Sequence, residues 1–417
     1  MEAISTMDVI YRCCAGLDVH KQTVQCAVRR MKESGTVQVE IRQFGTMTDD
    51  LLEMVKWLTA QSVTHVAMES TGVFWKPIYN ILEGHFTLLL VNARHVKQVP
   101  GHKTDVSDCQ WLAQLLQYGL LKASFIAPRW QRELRDLTRE RTQLTDEQTR
   151  VANRIHKVLE DANIKLGSVA TDILGVSGQD ILQGLMAGEQ EAESLAERAR
   201  GRLRDKIPEL RRALRGRLSE HHRFQLRLQW DHLQRLQELL QRLNQRIAEL
   251  SEPYQAQIQQ LDRVVGINQA SAESIVAEIG VDMKVFPSDR HLSAWAGICS
   301  GNNQTAGKRR SGRISKGSPW LRRTLVLAAQ AAGHAKDSFL ASRFRRLAAR
   351  RGKKRACIAV AHSILKIVYH MLNNGVPYHD LGGTYFDRLD PKRLTRYLVR
   401  RLERLGHKVT LEPLTTG

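Results

Sequence analysis

Acid is scarce in this chain. Its 417 residues carry 43 Asp and Glu against 63 Lys and Arg, a formal net charge of +20. That imbalance argues against a cationic partner and points to a polyanion, bound through release of the counterions that phosphates condense. Cysteine pairs are missing too. Cys13, Cys14, Cys26, Cys109, Cys299 and Cys357 form no C-x-x-C spacing, so neither a zinc site nor a disulfide framework is supported, and their apolar flanks mark them as small buried side chains. No apolar run approaches the roughly 18–20 residues of a membrane span, and Met1-Glu2-Ala3-Ile4 lacks the basic-then-apolar layout of a secretory leader. A membrane surface, the rival polyanion, is thereby set aside. The expectation is a cytoplasmic protein that binds nucleic acid.

Against this basic background, four acids stand out in the first quarter of the chain: Asp18, Glu69, Asp105 and Asp108. Asp18 lies in a β-rich run that continues through Thr23-Val24-Gln25-Cys26-Ala27-Val28 with strand-like alternation. Glu69 closes the apolar run His65-Val66-Ala67-Met68 and precedes the turn signal Ser70-Thr71-Gly72. Asp105 and Asp108 come just before the helical pattern Trp111-Leu112-Leu115-Leu116, three positions apart, a spacing that on a helix brings Cβ atoms within about 5–6 Å. A single acid before a helix is usually only an N-cap. Four acids at element ends point instead to a shared site for one or two hard divalent cations, Mg²⁺ or Mn²⁺. Phosphodiester cleavage needs an activated oxygen and neutralisation of the leaving oxygen, which two such ions supply. His20 and Lys21 either support such a site or form an exposed loop pair.

A chain this long exceeds one core, so several domains are expected. Residues 11–125 alternate β-like runs (35–44, 63–68, 86–91) with helical patterns (49–61, 75–83, 107–118), an α/β sheet domain. Residues 128–253 are nearly free of strand signals. There Leu226, Trp230, Leu233, Leu236, Leu240, Leu243, Ile247 and Leu250 recur at spacings of three or four, a coiled-coil seam. Its partner is either the earlier helix, 134–164, or a second subunit. Arginine-dense flanks at 198–204 and 211–215 read either as a solvated face or as nucleic-acid contacts. Residues 258–374 form a third, mostly helical domain, and 375–417 a basic tail. Around Gly266 a short turn links two helices in a helix-hairpin-helix-like layout, whose turn amides can hold a phosphate; plain helix packing is the alternative. The stretch 297–318 reads as a loop of glycines, hydroxyls and cations. Lys308, Arg309, Arg310, Arg313 and Lys316 suit phosphates, and a hydroxyl held among them is a nucleophile candidate.

Gly16-Leu17-Asp18-Val19-His20-Lys21, Met68-Glu69-Ser70-Thr71-Gly72 and Lys103-Thr104-Asp105-Val106-Ser107-Asp108 resemble the N-terminal signature of the DEDD transposases of bacterial insertion sequences. The stretch Asn303-Gln304-Thr305-Ala306-Gly307-Lys308-Arg309-Arg310-Ser311-Gly312, followed by Trp320-Leu321-Arg322, resembles that family's C-terminal domain. The resemblance implies an RNase H/RuvC-like α/β first domain with Asp18, Glu69, Asp105 and Asp108 as metal ligands. A long helical coiled coil and a mostly α-helical transposase domain then follow. It implies a recombinase acting on donor and target DNA, guided by a non-coding bridge RNA, nucleoid-associated, and working as a dimer or tetramer. It also implies a covalent attack by a C-terminal serine, assisted by the metal site of a neighbouring subunit. Here the chain departs from the family: Thr305 stands at the aligned position, and its β-branch stiffens χ1. Ser311 is the alternative, with Ser300 behind it. Two other readings use the same residues differently: a structure-specific nuclease of branched DNA that hydrolyses through the four acids alone, and a non-enzymatic protein that bridges DNA.

Overall fold

The computed structural model describes residues 8–69, 72–92, 96, 107–299, 303–305, 308–311, 314 and 316–412. The chain divides into two compact units, 1–126 and 127–417.

The first unit is built on five strands: β1 (Cys13–Val19), β2 (Thr23–Met31), β3 (Val37–Gly45), β4 (His65–Glu69) and β5 (Thr87–Val91), in the order β3-β2-β1-β4-β5. The first three form an antiparallel meander, while β4 and β5 run parallel to β1. Helices α1 (Thr48–Ala60) and α2 (Trp75–Leu82) make the crossovers, and α3 (Asp108–Gln117) follows. Period-two alternation sorts the side chains. Leu17, Val19, Met68 and Phe44 pack with Leu51, Met54, Leu58, Ile78 and Leu82 of the crossover helices. On the opposite face, Cys14 and Ala67 meet Leu116, and Ala27 meets Cys109 and Ala113, all on α3.

Among the described residues the second unit's regular structure is helical apart from one ribbon. Its helices are α4 (Arg129–Asp161), α5 (Leu166–Val169), α6 (Val176–Ala187), α7 (Ala192–Glu197), α8 (Ile207–Ala213), α9 (Glu220–Ser251), α10 (Gln255–Asp262), α11 (Gln269–Ile279), α12 (Asp289–Trp295), α13 (Pro319–His334), α14 (Phe339–Arg351), α15 (Lys353–Asn374), α16 (Tyr385–Leu389) and α17 (Pro391–Arg404). The partner of the α9 seam is α4, in the same chain and antiparallel. Val151, Ile155 and Leu159 share a core with Leu226, Trp230, Leu233 and Leu236, and at the other end Leu134 packs with Ile247. Burying each large aliphatic side chain in this seam contributes about 1.5–3 kcal/mol. The short helices α5 to α8 close one end of the pair. They also change the meaning of the arginine-dense flanks, because Arg198, Arg200, Arg211 and Arg215 pair with Glu189, Asp180, Glu197 and Glu193.

Helices α10 to α15 share a third core, centred on residues such as Ile275, Leu325, Val360 and Ile364. By length and mean hydropathy α15 could cross a membrane, which corrects the expectation that no stretch approaches that composition. Half of its apolar window is buried inside this core.

Candidate active site

The acids of the first unit are organised by strand register. Leu17 pairs with Met68 across the parallel β1 and β4, so Asp18 and Glu69 are the next residues along at the adjacent carboxyl ends of the two strands. That edge is where open α/β sheets present ligand sites. Asp18 lies two residues beyond Gly16, and Glu69 two beyond Ala67, so alternation turns both toward the face covered by α3. Asp108 is the first residue of that helix. Gly16 lets α3 lie directly on β1, since a Cβ there would sit 2.2 Å from the Cys109 carbonyl oxygen and 2.5 Å from the Ala113 nitrogen. The Cys109 thiol is pushed up chiefly by burial, with the negative charge of Asp18 adding to it. The α3 N-terminus is fixed locally: Ser107 N donates to Gln110 Oε1 at 3.3 Å.

His20 Nε2 lies 3.0 Å from Asp18 Oδ2, with the histidine side chain 62% and the aspartate 25% exposed. The hairpin between β1 and β2, closed by His20 N donating to Thr23 O at 2.9 Å, sets this pair. Asp105 lies outside the described residues. Among the described residues no three His, Cys, Asp or Glu side chains converge on one point. The chemistry of the donor set, all carboxylate oxygen, fits a hard divalent cation rather than zinc or copper.

In the second unit, the stretch read as a loop contains a two-stranded antiparallel ribbon, β6 (Asn303–Thr305) and β7 (Lys308–Ser311). Thr305 pairs with Lys308 at its tip and Ser311 with Asn303 at its open end, with a register irregularity between Asn303 and Gln304. Arg309 and Arg310 belong to β7, Lys308 and Lys316 are exposed, and Arg313 and Ser300 lie outside the described residues.

Two glycines form the neck of this excursion. A Cβ on Gly297 (φ +68°) would lie 2.6 Å from Gly317 N, and one on Gly317 would lie 2.4 Å from the Ala296 carbonyl carbon. Beside the neck, Ser318 caps α13 by accepting from Leu321 N at 3.3 Å, and its hydroxyl donates to Glu278 Oε2 at 3.0 Å. Glu278 is only 3% exposed. Arg139 grips both its oxygens at 2.8 and 3.1 Å, and Arg135 donates to its backbone carbonyl at 2.8 Å. The foot of the ribbon excursion is thus tied to the N-terminal third of α4. Sequence reading missed Glu278, and no local signal marks it, because its arginine partners lie more than a hundred residues away and Ser318 lies forty away.

Gly266 has φ +93°, and a Cβ there would meet Ala328 O at 2.2 Å. Close packing on α13 accounts for the glycine by itself. The following helix is capped by Asn268 Oδ1, which accepts from Ser271 N at 2.9 Å.

A carboxylate-edged mixed sheet is followed in one chain by a helical unit with a cationic ribbon. Two family models match the chain in order, the IS110-type DEDD model described as Transposase over residues 15–164 and the Transposase IS116/IS110/IS902 family over 258–343. This chain belongs to the IS110-type DEDD transposases of insertion sequences. All four acids fall within the first match, and the ribbon falls within the second. No curated protein matches the chain significantly.

Proposed function

We propose that this transposase is a metal-dependent, RNA-guided DNA recombinase with an RNase H/RuvC-like N-terminal sheet and an attacking hydroxyl on its C-terminal ribbon. The antiparallel meander continued by two parallel strands supports the fold reading. The function rests on one observation: Asp18 and Glu69 end adjacent parallel strands on the face that the Asp108 helix covers. With Asp105, these acids would hold Mg²⁺ or Mn²⁺. Such ions, when bound, lower the pKa of an attacking hydroxyl and neutralise the leaving oxygen.

The protein's own groups do the rest. His20 holds one oxygen of Asp18 and so limits its rotation. Lys308, Arg309, Arg310, Arg313 and Lys316 bind the phosphate and offset charge that grows at phosphorus. Thr305 is the first candidate for the nucleophile and Ser311 the second. The hydroxyl gives up its proton, its oxygen bonds to phosphorus, and the released strand oxygen takes a proton. The amides of the Gly266 turn would steady a neighbouring backbone phosphate. A bridge RNA would read donor and target DNA by base pairing, which leaves the protein to bind backbone shape. The α4–α9 pair acts as a coiled-coil arm of a dimer or tetramer working on the bacterial nucleoid in the cytoplasm.

The test incubates the protein with Mg²⁺, co-expressed element RNA and a labelled target duplex, then maps any protein–DNA adduct by mass spectrometry. An adduct on Thr305 or Ser311 that vanishes in Asp105→Ala is expected. Cleaved DNA without an adduct would favour the hydrolytic nuclease, and full function in Asp18→Ala would favour a non-catalytic DNA-bridging protein.

A further inference from the structure

The most concentrated charge in the second unit lies outside the ribbon. Between residues 343 and 355 the chain carries eight Lys and Arg and no acid. The stretch begins where the second family match ends, at residue 343. Gly352, with φ +82°, joins the end of α14 to the start of α15, so cations from both helices meet at one corner. Arg345, Arg350, Arg351, Lys353, Lys354 and Arg355 are all exposed there.

Three features separate this corner from an ordinary solvated face. First, the charges are unneutralised. Among the described residues the stretch makes a single ion pair, Arg346 with Asp387 at 3.9 Å. In the arginine-dense segment at 198–215, four of the eight cations are met by neighbouring carboxylates. Second, Lys353, Lys354 and Arg355 occupy the first turn of the 22-residue α15, and no acid accompanies them. Cations at a helix N-terminus oppose the macrodipole, and an approaching phosphate relieves that repulsion together with the repulsion among the side chains. Third, residues 343–355 themselves offer no base-stacking platform. The one aromatic in the stretch, Phe344, lies against α13, where a Cβ on Gly333 would come within 2.8 Å of its ring. Single strands are held on exposed aromatics. A cationic corner whose own aromatic is taken up in packing against α13 suits the phosphate backbone of a duplex.

We infer that the α14–α15 corner is a docking surface for the backbone of duplex DNA, built from residues other than the acids and the ribbon. The inference rests on the family's action on DNA but not on the chemistry proposed above. Binding is therefore measured in the presence of chelator, where failure of the cleavage mechanism leaves the result unaffected.

The full-length protein is titrated onto a fluorescent mixed-sequence duplex DNA at several salt concentrations, and log K is plotted against log salt. The substitutions Arg350→Gln, Arg351→Gln, Lys353→Gln and Lys354→Gln are combined. Each phosphate contact contributes about 0.9 to the slope, so the slope should fall in magnitude by roughly 3 to 4, with affinity down more than tenfold at low salt. Arg350→Lys with Arg351→Lys should keep the wild-type slope, which separates charge from folding. The proposal is overturned by an unchanged slope. It is equally overturned by a loss no larger than that from Arg202→Gln, Arg204→Gln, Lys206→Gln and Arg212→Gln combined, or by a loss seen on a structured RNA but not on DNA.

Discussion

Replacing Gly16 with alanine tests the packing that brings Asp108 to the carboxylate edge. The new Cβ would stand 2.2 Å from Cys109 O, 2.5 Å from Ala113 N and 2.9 Å from Leu112 Cβ. These are backbone or β-carbon atoms of one helix, so no rotamer change relieves the overlap. To reach even the tight range of 3.0–3.4 Å, α3 must lift off β1 by about an ångström. Overpacking of this kind costs about 1–3 kcal/mol, readable in urea denaturation. The same movement carries Asp108 away from Asp18, and a misplacement of about 1 Å can cost roughly 100-fold in rate, readable in single-turnover cleavage of target DNA with Mg²⁺. Gly35→Ala is the control. Gly35 turns β2 into β3 at φ +80°, and a Cβ there would meet nothing within 4 Å, so alanine costs about 1–2 kcal/mol of left-handed strain without moving α3. The reasoning is refuted if Gly16→Ala keeps wild-type stability and cleavage, or if Gly35→Ala loses as much rate.

Asp18→Asn should lower cleavage by more than about 100-fold, because loss of a ligand exceeds the 10–100-fold cost of losing a group that merely supports one; an unchanged melting temperature would confirm that the loss is chemical. Glu278→Gln leaves Arg139 and Arg135 facing a neutral partner in a site where the glutamate is 3% exposed, and should cost about 2–4 kcal/mol in urea denaturation, while Ser318→Ala should cost only about 1 kcal/mol. Arg323 holds the Asp146 carboxyl below its usual value of 3.8, by hydrogen bonding first and then by charge. A depressed folded value stabilises above the unfolded pKa, so the melting-temperature gap between wild type and Asp146→Asn should be constant near neutrality and close as pH falls below 3.8. Because the partners are 43% and 38% exposed, that gap should correspond to less than about 1 kcal/mol.

Much of the first unit was legible because its signals are local. The runs at 35–44, 63–68 and 86–91 became β3, β4 and β5, and the patterns at 49–61, 75–83 and 107–118 became α1, α2 and α3, each displaced by one or two residues. Element ends carried the acids because strand and turn chemistry is written in neighbouring residues. The intrachain pairing of α4 with α9 was one of two open choices, since a leucine seam specifies a partner's shape and not its chain. The ribbon was missed because its strands, at three and four residues, are too short for alternation to stand out among glycines and cations. Gly16, Gly297 and Gly317 were visible as glycines, but their need for close backbone approach depends on segments distant in sequence.

Net charge was the feature most easily read and the least discriminating. Each of the segments 198–215 and 343–355 carries eight Lys and Arg, though the first also carries Asp205 and Glu209 and the second no acid. The fold separates them through the scarce acids. Asp180, Glu189, Glu193 and Glu197 are spent on the first segment, Glu273 and Glu278 on Arg141 and Arg139, and Asp146 on Arg323. Those arginines hold the second unit together, and a phosphate would have to compete with a carboxylate for each. At the α14–α15 corner eight cations share one carboxylate partner among the described residues, so pairing together with the count of cations decides where nucleic acid should be sought.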